Sequence, residues 1–122
     1  MKKPFGSSET SGAPLSSAWE AGGLVFVSGQ IHADKDWKLV GETIEERFSA
    51  AMKRIEDIIV EAGLGREHII QVRLYLTDIK ELPALNEVYK KYFQHPLPAR
   101  SALGVAALPL GASLEIEVVA AR

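Results

Sequence analysis

Chemistry that needs a fixed cationic fork and a carboxylate has few sources in this chain. The fork is Arg100, in the stretch LPARSALG over residues 97–104, and the carboxylates closest to it in kind of context are Glu115 and Glu117 in LEIE. Arg100 heads a run of small and apolar residues, where a guanidinium is costly unless an anion pairs with it. Two partners stay open. One is Glu115 or Glu117 across a sheet, which would make the arginine structural; the other is the carboxylate of a visiting small molecule. In the second case Glu115 is free to hold a water and Glu117 can pair with Arg73. Ser28, followed by Gly29 in VSGQI, has no nucleophile-elbow motif and no obvious base, so hydrogen bonding or a backbone role beside a ligand is expected of it. Asn86 falls mid-helix, where solvation is the ordinary fate, and Tyr89 is expected in the core. His32, His68 and His95 share no ligand spacing, which argues against a metal site. His32 alone follows the SGQ segment directly and is expected near any site there.

These residues need elements to hold them. GLVFVSGQI, residues 23–31, is rich in β-branched and aromatic residues and reads as a strand ending near Ser28 and Gly29. A short strand is possible over Trp37 to Val40. Ile44, Phe48, Met52, Ile55, Ile59 and Ala62 recur at helical spacing, with Thr43 and Glu46 spaced as a capping box and Gly63 as a stop. From Ile69 to Thr77 the period becomes two, with Val72, Leu74 and Leu76 on one face and Arg73 and Tyr75 on the other. A second helix covers about residues 81–93, with Pro83 tolerable in its first turn. Two strands close the chain, Ser101 to Ala107 and Ser113 to Ala120, joined by LPLG. The expected fold is a single α+β domain over residues 16–122, a mixed sheet with two helices packed on one face, preceded by a mobile Ser, Gly and Pro-rich segment over 1–15. The face carrying Arg73, Tyr75, Glu115 and Glu117 is too decorated for a dry core and too aromatic for plain solvation, a composition suited to another subunit.

Composition narrows the function. The chain has 122 residues, 47% hydrophobic and 25% charged, and 14 Lys plus Arg against 16 Asp plus Glu leave a net charge of -2 with the signs interleaved. That is poor material for a nucleic-acid or anionic-membrane surface. With no cysteine, disulfides, thiolate metal sites and cysteine nucleophiles are excluded. No signal-peptide core or membrane-spanning run is present, so a cytoplasmic location is the expectation. GxGxxG, P-loop, HExxH and GxSxG motifs are absent.

Taken in order, VSGQI at 27–31, LTDI at 76–79, NEVYKKYF at 86–93, PARSALGVAALPLG at 98–111 and LEIEVVA at 114–120 resemble the RidA family, also called the YjgF/YER057c/UK114 family. The resemblance spans about residues 13–121. It implies a chorismate-mutase-like fold assembled as a homotrimer, with sheets forming an inner barrel and clefts between subunits. It also implies hydrolysis of small 2-imino or 2-enamino acids, such as 2-iminopropanoate and 2-iminobutanoate, to 2-keto acids and ammonia, with no metal or organic cofactor. By the same resemblance Arg100 binds the substrate carboxylate, Glu115 holds the attacking water, Ser28 and Gly29 line the cleft, and Asn86 joins it. Three positions depart from the family pattern: Leu15 in APLS stands for a tyrosine, Ala102 for a cysteine, and His32 for a proline. Leucine cannot donate a hydrogen bond, so the alternative expectation is a non-catalytic trimeric binder of small 2-keto acids. An RNA-directed role, attributed to some members, sits badly with the charge.

Overall fold

Alternation of side chains decides the centre of the sheet. The structure is a computed structural model that describes residues 2–6 and 13–122. Among the described residues it contains six strands, β1 (Lys3–Phe5), β2 (Ala18–Ala21), β3 (Leu24–Ile31), β4 (Ile69–Leu76), β5 (Ala99–Gly104) and β6 (Leu114–Ala121), and two helices, α1 (Ile44–Glu61) and α2 (Leu82–Tyr92). The strands form one sheet in the order β1-β2-β3-β6-β4-β5. Along β6, Leu114, Ile116, Val118 and Ala120 are buried and the residues between them are half-buried. Val72, Leu74 and Leu76 of β4 point to the same side and are fully buried.

Both helices cover that side. Phe48, Met52, Ile55 and Ile59 from α1, with Leu85, Tyr89 and Phe93 from α2 and its C-terminus, join the buried residues of β3, β4 and β6 in one core. The connections β3-α1-β4 and β4-α2-β5 each carry a helix across this face, and β6 is inserted antiparallel between β3 and β4. The final pair, β5 and β6, therefore does not form a hairpin; β5 pairs in parallel with β4 at the sheet edge. At the start of α1, the Glu46 amide donates to Thr43 Oγ1 at 3.1 Å and the Thr43 amide donates to Glu46 Oε1 at 3.1 Å, closing the capping box. Pro83 sits in the first turn of α2, after a short 3-10 turn over Ile79–Glu81.

Several boundaries differ from the sequence reading. β1 and β2 were not expected, because neither is long enough to show a period; β2 exists through its pairing with β3, and β1 through its pairing with β2. Lys3–Phe5 lies within the stretch expected to be a lead-in, yet Phe5 is buried in the core, while residues 7–12 of that stretch lie outside the described residues. β3 does not stop at Ser28 and Gly29. It runs on to Ile31, and three steps from Val27 to Gln30 match only two from Val118 to Ile116. One extra residue is thus accommodated at Ser28–Gly29, a local kink of the kind that re-aims side chains. The short strand expected over Trp37–Val40 reduces to one bridge between Ala33 and Leu39, with Trp37 at φ 61°. β5 ends at Gly104 rather than Ala107.

No helix among the described residues covers the opposite face of the sheet. On it Trp19, Phe26 and Leu103 are 44%, 47% and 43% exposed, alongside Arg73, Tyr75, Glu115 and Glu117. Among the described residues no helix is long and apolar enough to cross a membrane. Because α1 brings Phe48, Ala51, Met52, Ile55 and Ile59 into the core, loss of its cap should register globally: Thr43→Ala is expected to lower unfolding free energy by about 1 kcal/mol, read from the urea midpoint at unchanged slope.

Candidate functional site

Register assigns each candidate to a face. Arg100 of β5 lies opposite Val72 of β4, whose side chain is fully buried on the helix side, so Arg100 also projects to the helix side. There, at the sheet edge, it is exposed. Its Nη1 donates to Asn86 Oδ1 at 2.8 Å, and its guanidinium carbon lies 4.8 Å from the centre of the Tyr89 ring. Asn86 and Tyr89 are three residues apart on α2 and so share one side of the helix. The expected ion pair of Arg100 with Glu115 or Glu117 is not made, because strand alternation puts both glutamates on the other side of the sheet. Among the described residues Arg100 has no carboxylate partner. Asn86 is not simply solvated: it takes one of the arginine's donors and leaves the rest of the fork open. Tyr89 is in the core as expected, and its buried hydroxyl has no hydrogen-bond partner among the described residues. Burial pushes that phenol's pKa up, and the charge of Arg100 opposes the rise.

On the open face, Glu117 and Glu115 meet different fates. The Tyr75 hydroxyl donates to Glu117 Oε1 at 2.8 Å, and Arg73 Nη1 lies 3.8 Å from the same oxygen, so Glu117 is engaged by its cross-strand neighbours. Glu115 has no hydrogen bond or ion pair among the described residues. Its half-buried carboxyl is held above the ordinary 4.5, first by desolvation and then by the neighbouring charge of Glu117. It lies against Gly29, where an added Cβ would stand 2.2 Å from Glu115 Oε2. Only a residue with no side chain lets the carboxylate lie there. Ser28 Oγ donates to the Ser16 carbonyl at 2.6 Å, tying the kink in β3 to the segment that carries Leu15, which is 48% exposed.

Ser28, Gly29 and Glu115 are therefore together, Arg100 and Asn86 are together, and the two groups stand on opposite faces of one chain. His32 belongs to neither group. It is buried; its Nε2 accepts from the Ser113 amide at 3.0 Å, and its Nδ1, which must then carry the proton, donates to the Val40 carbonyl at 2.9 Å. It staples two loops. Ala102 is half-buried against the core, opposite Leu74. Among the described residues no group of three or more His, Asp or Glu is arranged to hold a metal ion. A cavity of about 570 Å³ beside Arg66, Tyr92 and His95 contains none of the candidate site residues, and its arginine is already stacked on Tyr92 at 3.6 Å and paired with Glu56. Sequence reasoning missed Tyr89 as the shelf under Arg100, although the three-residue spacing from Asn86 is the signal that could have found it.

Such a molecule, one α+β layer with an arginine over its helix face and a glutamate on its open face that form no ion pair among the described residues, has known relatives. A family model described as endoribonuclease L-PSP matches residues 7–122. A RutC family protein of Aquifex aeolicus is 42% identical over 111 residues, 89% of each chain. A 2-iminobutanoate/2-iminopropanoate deaminase of Mus musculus is 36% identical over 110 residues, 89% of this chain and 82% of that one. The crystal structure of yeast Mmf1 superposes with a TM-score of 0.90 at 34% identity, covering 100% of this chain and 99% of that one. The chain belongs to the endoribonuclease L-PSP family, the RidA/YjgF family.

Two outcomes follow from Glu115 and Gly29. A raised folded-state pKa gives stability that is fully present below the unfolded value and lost as pH rises through the folded one. Glu115→Gln, which mimics the neutral form, is therefore expected to be more stable than the parent at pH 7, with the gap closing as pH falls toward 4.5, measured by urea unfolding across that range. Gly29→Ala is expected to cost no more than about 1 kcal/mol, because the group displaced is the flexible end of the half-buried Glu115 side chain, and that cost should disappear in Gly29→Ala combined with Glu115→Ala, read as the coupling in a double-mutant cycle.

Proposed function

We propose that this chain is a homotrimeric deaminase that hydrolyses small 2-imino acids, 2-iminopropanoate and 2-iminobutanoate among them, to 2-keto acids and ammonia. In this reading Arg100 and Asn86 of one subunit face Ser28, Gly29 and Glu115 of the next, across a cleft neither subunit makes alone. The observation that carries it is the guanidinium of Arg100, laid over Tyr89, with one donor taken by Asn86 and no carboxylate partner among the described residues. A cation left open in that way suits the carboxylate of a small acid, which can accept two parallel hydrogen bonds from it. The apolar residues exposed on the open face give a reason for association, since their area is otherwise left in water. The family membership and the deaminase name of the mouse relative support the reaction class.

The chemistry asks little beyond placement. With the carboxylate clamped, the imine carbon is electrophilic as soon as its nitrogen is protonated. Glu115 holds a water, accepts a proton from it as oxygen bonds to that carbon and the C=N π electrons move to nitrogen, and returns the proton to nitrogen. The C–N bond then breaks, ammonia leaves, and the hydroxyl gives its proton to the freed Glu115 carboxylate as the keto group forms. Glu115's raised pKa suits a group that must both take and give a proton. Leu15 can supply no proton, so the task falls on Glu115 and water.

Leu15 is also the observation that favours the second reading, a trimer that binds small 2-keto acids without turning over imines. RNA cleavage, which the family description names, draws no support from a chain of net charge -2. One set of measurements separates the readings. Ammonia release from freshly generated 2-iminobutanoate should be faster with the protein than without it, and Arg100→Ala should lower the catalysed rate by about a hundredfold or more. No acceleration by the unmodified protein would end the deaminase reading, and calorimetric binding of 2-oxobutanoate that vanishes in Arg100→Ala would then establish the binder.

A further inference from the structure

The geometry points to a second anion-binding position beside Gly29, built on Arg54, that suits imino and keto acids carrying a second carboxylate at the far end of their side chain. A cavity of about 210 Å³ is lined by Leu15, Gly29, Gln30, Trp37, Arg54 and Asp57 among others. Gly29 is shared: the same residue lies against Glu115 and lines this cavity. The cavity therefore adjoins the half-site without belonging to it.

Arg54 is held in a fixed plane from three directions. Its guanidinium stacks over Trp37 at 3.8 Å, its Nε donates to Gln30 Oε1 at 2.9 Å, and its Nη1 donates to the Asp34 carbonyl at 3.0 Å. The other terminal nitrogen, Nη2, has no hydrogen-bond partner among the described residues, and no carboxylate there pairs with Arg54. Asp57 does not neutralise it at contact distance; its carboxylate is taken by Lys53 at 3.0 Å. Burial has removed part of the water around the guanidinium, the leading cause that lowers its pKa, and the more distant charges of Asp57 and Asp34 oppose that shift without a contact ion pair. A preorganised, partly dehydrated arginine with a free edge is suited to a carboxylate.

Two further features tie Arg54 to the site rather than to the loop alone. Gln30, which accepts from Arg54, donates through Nε2 to the Ser28 carbonyl at 3.0 Å, so the arginine is one side chain removed from the Ser28–Gly29 kink. Trp37 supplies its ring from φ 61°, a conformation costly for any residue but glycine. Backbone held in such a region persists where the surrounding structure gains from it, and here the gain is a face for the guanidinium.

The turnover part of this inference rests on the deaminase reading; the anion subsite does not. The test compares the unmodified protein with Arg54→Gln, which removes the charge, and Trp37→Gly, which removes the shelf at a position whose backbone glycine adopts freely. Freshly generated 2-iminoglutarate and 2-iminobutanoate are the substrates, and 2-oxoglutarate and 2-oxobutanoate are the calorimetric ligands. The ratio of kcat/KM for the dicarboxylate to that for the monocarboxylate is expected to fall about tenfold in Arg54→Gln. A fall in the same direction is expected in Trp37→Gly, and the ratio of the two affinities should move with it. If both acids change by the same factor, or neither changes, Arg54 only pins the loop over residues 33–40 and the subsite is overturned. Should no imine be turned over while 2-oxoglutarate binding still depends on Arg54, the deaminase reading fails and the subsite stands.

Discussion

A guanidinium with no carboxylate partner among the described residues governs how the rest of this molecule can be understood. Arg100 is set on a sheet edge, supported by the Tyr89 ring and limited by a single hydrogen bond to Asn86. Asn86 is neutral, so it orients the arginine without cancelling its charge. Had strand alternation placed Glu115 or Glu117 on the same face, an ion pair at the sheet edge would have satisfied the arginine and left nothing for a ligand. The register of β4 with β5 and with β6 prevents that, because Val72 beside Arg100 points to the helices whereas Tyr75 beside Glu115 points away from them.

The glutamates divide their labour by the same geometry. Glu117 faces Arg73 and Tyr75 and is consumed by them; Glu115, two residues earlier, faces the kink in β3 and finds only the bare backbone of Gly29. That bare backbone matters because the extra residue in β3 turns a regular ladder into a small recess. The carboxyl settles in it, half out of water, with its proton affinity raised. A glycine that lends close approach and a strand that gains one residue are thus parts of a single device.

Much of the fold was legible in the sequence because its signals are local and repeated. The period of α1, its capping box and the alternation of β4 and β6 each need only a few consecutive residues to be read. β1 and β2 were invisible for the opposite reason: with three and four residues they have no period, and they exist only as partners of β3 and of each other. The kink at Ser28–Gly29 read as a strand end, since a glycine in a strand signals interruption without saying whether the strand resumes. His32, expected near the site, is instead absorbed by two backbone groups from loops distant in sequence.

By itself the sequence determined which residues are available and how each strand and helix divides its sides, since those follow from side-chain type and a fixed period of two or three to four residues. It also determined the family, through five short motifs held in order. Tertiary structure alone decided which faces meet: that Arg100 stands with Asn86 and Tyr89, that Glu115 stands with Gly29, and that the two groups lie across the sheet from one another. Strand order and register are long-range properties, fixed by the packing of whole elements against a shared core, and no local pattern encodes them.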